Sequence, residues 1–226
     1  MEIIQIAIEK GAKALSEHDS KRFLAEHGML TTVEQVVSQV DDAVAVSADI
    51  GYPVVLKGSG ETLSHKSELG LIAVDLRTEA EVRQAYERLM SCRQAPVNEI
   101  LVQQMIKGDR ELVMGFNRDA QFGPCVMFGL GGIFTEILKD VSFRIAPLTR
   151  MDAMGMLDEI KGKNVLGPVR GKPAVDRDAL ADMLMTLGQI GLEYEQISEI
   201  DINPVKFQMN QPVAVDALVI LGNSES

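Results

Sequence analysis

The sequence predicts an α+β fold in two lobes, residues 1–105 and 106–226. Three observations carry that reading. Strand-like and helical periodicities are mixed along the first half. After Met105 the runs Glu111–Phe116 and Cys125–Phe128 lie close enough to pair as a hairpin rather than through a crossover. A strongly periodic helix, with Leu180, Met183, Leu184, Leu187 and Ile190 on one stripe, then precedes a final pair of strands.

In chain order, helical spacing runs from Asp19 to His27, with Phe23 and Leu24 apolar and Gly28 as the stop. A second helix spans Ser38 to Ile50, burying Ala43, Val44 and Ile50, and ends at Gly51. Val54 to Leu56 delivers Lys57 to a strand end, and Leu71 to Leu76 is a further strand. Thr78 and Glu81 make a capping box for a helix with Val82, Ala85, Tyr86, Leu89 and Met90 inward. Glu99 to Met105 closes the first lobe as a β-α-β unit. In the second lobe, Asn117–Asp119 and Phe122–Pro124 connect the hairpin, and glycines cluster at Gly129, Gly131 and Gly132. Met151 to Ile160 reads as a helix. Ser198–Ile202 and Val213–Ile220 read as closing strands around the turn Gln208–Gln211.

Bulk properties exclude several function classes. A net charge of −11 with no clustered basic surface argues against nucleic acid and against an anionic membrane face. Met1–Gln5 carries acid where a signal peptide has base, and no apolar run approaches a membrane span. Cys92 and Cys125 lack metal spacing and read as free thiols of a cytoplasmic protein. Of the three histidines, His18 and His27 sit at helix ends, which leaves His65 as the exceptional one.

The candidate chemistry falls in three places. Lys57 at a strand end beside Gly58 and Gly60 suits phosphate, because bare amides and an ammonium can approach the oxygens together. His65, flanked by Ser64 and Lys66, is either a loop histidine bonding backbone or an acid, base or nucleophile beside that phosphate. The cluster Phe128–Phe134 lacks the G-x-G-x-x-G spacing of a dinucleotide site; Gly131 and Gly132 are either a plain turn or a loop closing over phosphates. Glu136 and Arg144 just beyond it either contribute charge or are solvated. In the last strands Glu199, Asp201 and Asn203 share one face by alternation. A turn can bring Asn203 and Asp216 together as hard oxygen ligands for Mg²⁺, unless that edge is simply solvated. Between these, the strand end at Gln104 and Met105 offers backbone groups to an adenine edge, and Glu111 is free for ribose hydroxyls.

Taken in order, these signals resemble the ATP-grasp fold, in which two α/β lobes hold a nucleotide between them. More narrowly, Gly51–Lys57, Ser64-His65-Lys66-Ser67, Phe128–Phe134 and Asp201-Ile202-Asn203-Pro204 resemble the β subunit of ADP-forming acyl-CoA synthetases, relatives of succinyl-CoA synthetase. The likeness spans about Ser16 to Ala217. It implies a phosphohistidine relay in which His65 carries phosphate and Asp201 orients the phosphohistidine. It further implies Asn203 and Asp216 as Mg²⁺ ligands, Lys57 on the phosphates and Glu111 on the ribose. The cofactors implied are Mg²⁺ and ATP/ADP. The implied partner is a CoA-binding α subunit, in a heterotetramer, since no CoA-binding half is visible. One position departs from the family pattern: Gly70 is followed by Leu71 rather than a second glycine. Two other classes compete: an ATP-grasp carboxylate–amine ligase, which needs no phosphohistidine, and a non-catalytic nucleotide-binding regulatory module.

Overall fold

The computed structural model describes residues 2–59, 70–92, 97–132, 140–169 and 171–222. They form two compact units, one of residues 32–105 and one combining 1–31 with 106–226. The chain passes from the smaller unit to the larger after Met105, and the first 31 residues belong with the larger unit. Helices α1 (Glu2–Glu9) and α2 (Glu17–Glu26) explain why. Their apolar residues, among them Ile4, Phe23 and Leu24, join the core of the larger unit. Burial of Phe23 or Leu24 there contributes about 2 kcal/mol each. The Ser16 hydroxyl caps α2 by accepting from the Asp19 amide at 3.0 Å, so the helix starts earlier than periodicity alone suggests. It stops as expected at His27 and Gly28, whose φ of +84° suits glycine.

The smaller unit contains β1 (Glu34–Val37), α3 (Val40–Ile50), β2 (Val54–Ser59), β3 (Ile72–Leu76), α4 (Glu79–Met90) and β4 (Glu99–Gln104). Its strands run in the order β1-β4-β2-β3, and every pairing is antiparallel. The hydrogen-bonding pattern is thus not that of a parallel β-α-β sheet. Helices α3 and α4 cover one face, where Val54, Leu56, Ile100 and Val102 pack with Ala43, Val82 and Leu89. Leu71, at the position that departs from the family pattern, is fully buried in this core. The Thr78 hydroxyl caps α4 from the Glu81 amide at 3.3 Å, while the Glu81 carboxylate accepts from the Arg77 amide at 2.6 Å rather than closing a reciprocal box.

The larger unit is built on β5 (Leu112–Asp119), β6 (Gly123–Leu130), β7 (Val141–Ile145), β8 (Ile197–Gln208), β9 (Gln211–Ala214) and β10 (Ala217–Leu221). The antiparallel order is β10-β8-β5-β6-β7, with β9 also on β8. Helices α5 (Arg150–Glu159) and α6 (Arg177–Glu193) pack their apolar stripes on one sheet face. The expected closing strand Val213–Ile220 is interrupted at Val215–Asp216, so β9 and β10 are successive pieces beside one long β8. Among the described residues no helix is long and apolar enough to cross a membrane.

Candidate functional site

Three groups of expected residues are distributed over the two units. In the smaller unit, Lys57 on β2 pairs across with Leu101 of β4 and Ile72 of β3. Paired residues share a face, so Lys57, Val55, Leu101 and Gln103 lie opposite the side whose residues pack with α3 and α4. Lys57 is only 5% exposed and Gln103 1%. Burying an ammonium and an amide is costly unless both are partnered, which marks this face as specialised. Gln104 ends β4 and Met105 follows it, both half-buried, with the Gln104 amide donating to Val33 O at 2.8 Å. Gln103 was not singled out by sequence, although an amide inside Ile100-Leu101-Val102-Gln103 is the available signal.

In the larger unit Glu111, Gly131 and Gly132 come together. The Gly131 amide donates to Glu111 O at 2.8 Å, and a Cβ on Gly131 would lie 2.9 Å from the Glu111 carbonyl carbon. Gly132 has φ +66°, and its Cβ would lie 3.0 Å from the Glu111 carboxylate. The glycines are therefore required by close backbone approach and by left-handed φ. The Glu111 carboxylate pairs with Lys206 at 2.9 Å, and both side chains are part-exposed. Arg144 is bound to Glu159 in a two-pronged ion pair, so its charge is already engaged. His65 and Glu136 lie outside the described residues.

The third group sits on β8. Ile200 and Ile202 face the core, so Glu199, Asp201 and Asn203 take the opposite face, as alternation requires. Across from Asp201 in register stand Gly115, then Met127, then Phe143. Gly115 lines a hollow of about 790 Å³, with Glu199 and Asp201 on one side and Met127, Phe143 and Ile145 on the other. Burial pushes the Asp201 carboxyl up, with the charges of Glu199 and Asp216 adding, to about 6.

One row further along β8, the chain break between β9 and β10 brings Asp216 to Asn203. The Asn203 amide donates to Asp216 O at 3.2 Å, and the Val215 amide donates to Pro204 O at 3.1 Å. An amide oxygen and a carboxylate on adjacent backbone suit Mg²⁺, and the repulsion among Glu199, Asp201 and Asp216 favours a cation nearby. Among the described residues no three His, Cys, Asp or Glu side chains converge as a metal cage.

A model of the ATP-grasp domain matches residues 6–221. Fold and match together place the chain in the ATP-grasp class. The β subunit of ADP-forming acetate–CoA ligase I from Pyrococcus furiosus is 40% identical over 214 residues, covering 92% of each chain. The ADP-forming acetate–CoA ligase I of Archaeoglobus fulgidus is 36% identical over 226 residues, and this chain spans 33% of it. Among solved structures, the dinucleotide-forming acetyl-coenzyme A synthetase 1 of Ca. Korarchaeum cryptofilum, in complex with coenzyme A and Ca-AMPCP, superposes with a TM-score of 0.94 at 42% identity. The match covers 98% of this chain and 99% of that one. A second structure of that protein, with a phosphorylated phosphohistidine segment, gives 0.89 at 40% with the same coverage. This chain belongs to the family of ADP-forming acetate–CoA ligase β subunits.

Proposed function

We propose that this chain is the nucleotide-binding β subunit of an ADP-forming acyl-CoA synthetase, moving a phosphoryl group between a Mg-nucleotide and His65. The observation that carries the reading is end-to-end similarity to a protein whose structure contains a phosphohistidine segment, joined to the Asn203–Asp216 contact on β8. Lys57 holds nucleotide phosphate as a buried ammonium. Gln104 and Met105 offer backbone to the adenine edge, Glu111 takes the ribose, and Gly131 and Gly132 let backbone amides reach the phosphates. Asn203 and Asp216 hold Mg²⁺, which when bound shields the phosphate charge from an approaching nucleophile. Asp201, ionised above about pH 6, takes the role of orienting the phosphohistidine, and a ring nitrogen of His65 is the nucleophile towards phosphorus. Transfer forms an N–P bond as the bond to the ADP oxygen breaks. The reverse step returns the phosphoryl group to ADP.

The acyl group and CoA belong to an α partner in a cytoplasmic heterotetramer, since relatives of matching length are named as β subunits. Incubation with γ-labelled ATP, Mg²⁺ and the partner subunit should give an acid-labile, base-stable label that His65→Ala abolishes. Label that persists in His65→Ala removes the relay. Transfer of phosphate to a free carboxylate without histidine labelling would favour the carboxylate–amine ligase reading. Nucleotide binding without any transfer would favour a regulatory module.

A further inference from the structure

Helix α2 carries two charged residues on its buried side, where the apolar stripe continues through Phe23 and Leu24. Lys21 is 1% exposed and Glu17 8%. Their side chains pair at 3.0 Å, one helical turn apart. The Lys21 ammonium also donates to Val215 O at 3.2 Å, 194 residues along the chain. Val215 precedes Asp216 in the break between β9 and β10. That joint lacks regular strand pairing, and the Asn203 and Pro204 backbone holds it on one side. We propose that Glu17 and Lys21 are a positioning pair for the metal-facing carboxylate: Lys21 fixes the Val215 carbonyl, and with it the direction of Asp216, while Glu17 neutralises Lys21. This rests on the reading of Asp216 as a Mg²⁺ ligand.

The pair supplies something that apolar side chains could not. A buried ion pair replaced by well-packed hydrophobic residues is often neutral or stabilising, so stability alone gives little reason for one here. A directional hydrogen bond to one carbonyl is different, because no aliphatic side chain supplies it. The joint is also where direction matters. An oxygen ligand to Mg²⁺ must meet near-octahedral geometry at short range, and groups that orient metal ligands are worth about 10- to 100-fold in affinity. A neighbouring contact provides an internal control. Ser20, also fully buried on α2, accepts from the Val219 amide at 3.1 Å, tying the same helix to β10 away from the joint.

The test compares nucleotide affinity with and without Mg²⁺ by calorimetry on the full chain, alongside thermal unfolding. The double variant Glu17→Gln/Lys21→Met, which removes both charges of the pair together, should fold and bind metal-free nucleotide like the parent. Its gain in affinity from Mg²⁺ should drop about tenfold. Glu17→Gln/Lys21→Gln, which keeps a donor at residue 21, should recover part of that gain. Ser20→Ala should lower the melting temperature without changing the Mg²⁺ gain. An unchanged Mg²⁺ gain in the folded Met variant, or an equal loss in Ser20→Ala, overturns the proposal. If the Met variant does not fold, Glu17→Gln/Lys21→Leu, likewise without a donor at residue 21, reads the same ratio and an unchanged gain is again decisive. Asp216→Asn separates the two layers: if it too leaves the Mg²⁺ gain intact, the metal reading has failed; if it alone abolishes the gain, only the positioning role has.

Discussion

Replacing Asp201 by Asn should make the metal-free protein more stable and less active. The carboxyl is raised from 3.8 to about 6, first by burial and then by Glu199 and Asp216. The native state therefore holds this proton more tightly than the unfolded chain does. The stability that this group lends is full below about pH 3.8 and is lost as pH rises through 6. A rise of about two pH units, at about 1.4 kcal/mol each, makes the ionised carboxylate cost ~3 kcal/mol at neutral pH. Asn keeps the shape and drops the charge. Urea unfolding in a chelator should show Asp201→Asn more stable by up to ~3 kcal/mol at pH 7.5, with the difference closing as pH falls towards 4. Transfer to His65 should fall in the same variant, because the carboxylate proposed to orient the phosphohistidine is lost. A gap that fails to shrink on acidification, or an Asn variant less stable at pH 7.5, would refute the electrostatic account of this strand.

Two further outcomes follow from the same site. Asp216→Asn should weaken nucleotide binding in Mg²⁺ far more than in its absence, measured by calorimetry, since a carboxylate gives the metal charge as well as an oxygen; equal losses would make Asp216 structural. Gly131→Ala places a Cβ 2.9 Å from the Glu111 carbonyl carbon, so it should cost about 1–3 kcal/mol in denaturant unfolding and reduce nucleotide affinity as Glu111 is displaced; an unchanged midpoint would show that the loop yields freely.

Much of this was legible because local chemistry and final environment agree. Periodicity located α4 and α6, and alternation put Glu199, Asp201 and Asn203 on one face away from Ile200 and Ile202. The hairpin of β5 and β6 followed from strand runs too close for a crossover. What escaped depends on partners distant in sequence. Strand β7 alternates apolar and polar residues, yet Phe143 and Ile145 are exposed while Ser142 is buried, the reverse of what such a pattern ordinarily announces. The interruption at Val215–Asp216 has no glycine to announce it, and its backbone partners are Asn203 and Pro204 of β8. Glu17 and Lys21 have the i, i+4 spacing of an ordinary surface ion pair, yet both are buried on the stripe that leads to Leu24. Similarly, nothing local to residues 1–31 says which sheet their helices will cover.

That last arrangement sets an order of events during synthesis. The four strands of residues 32–105 are complete once residue 105 has been made, and every pairing among them lies within that stretch. Helix α2 has no such independence. Ser20 waits for the amide of Val219, and Lys21 for the carbonyl of Val215. On a ribosome adding about 5–20 residues per second, helix α2 stays without its strand partner for on the order of ten seconds or more while nearly the whole chain follows. Closure of the larger unit is thus a late, long-range step, the kind that topology makes slow. Until then Phe23 and Leu24 remain without their sheet, the apolar surface that a chaperone would have to shield.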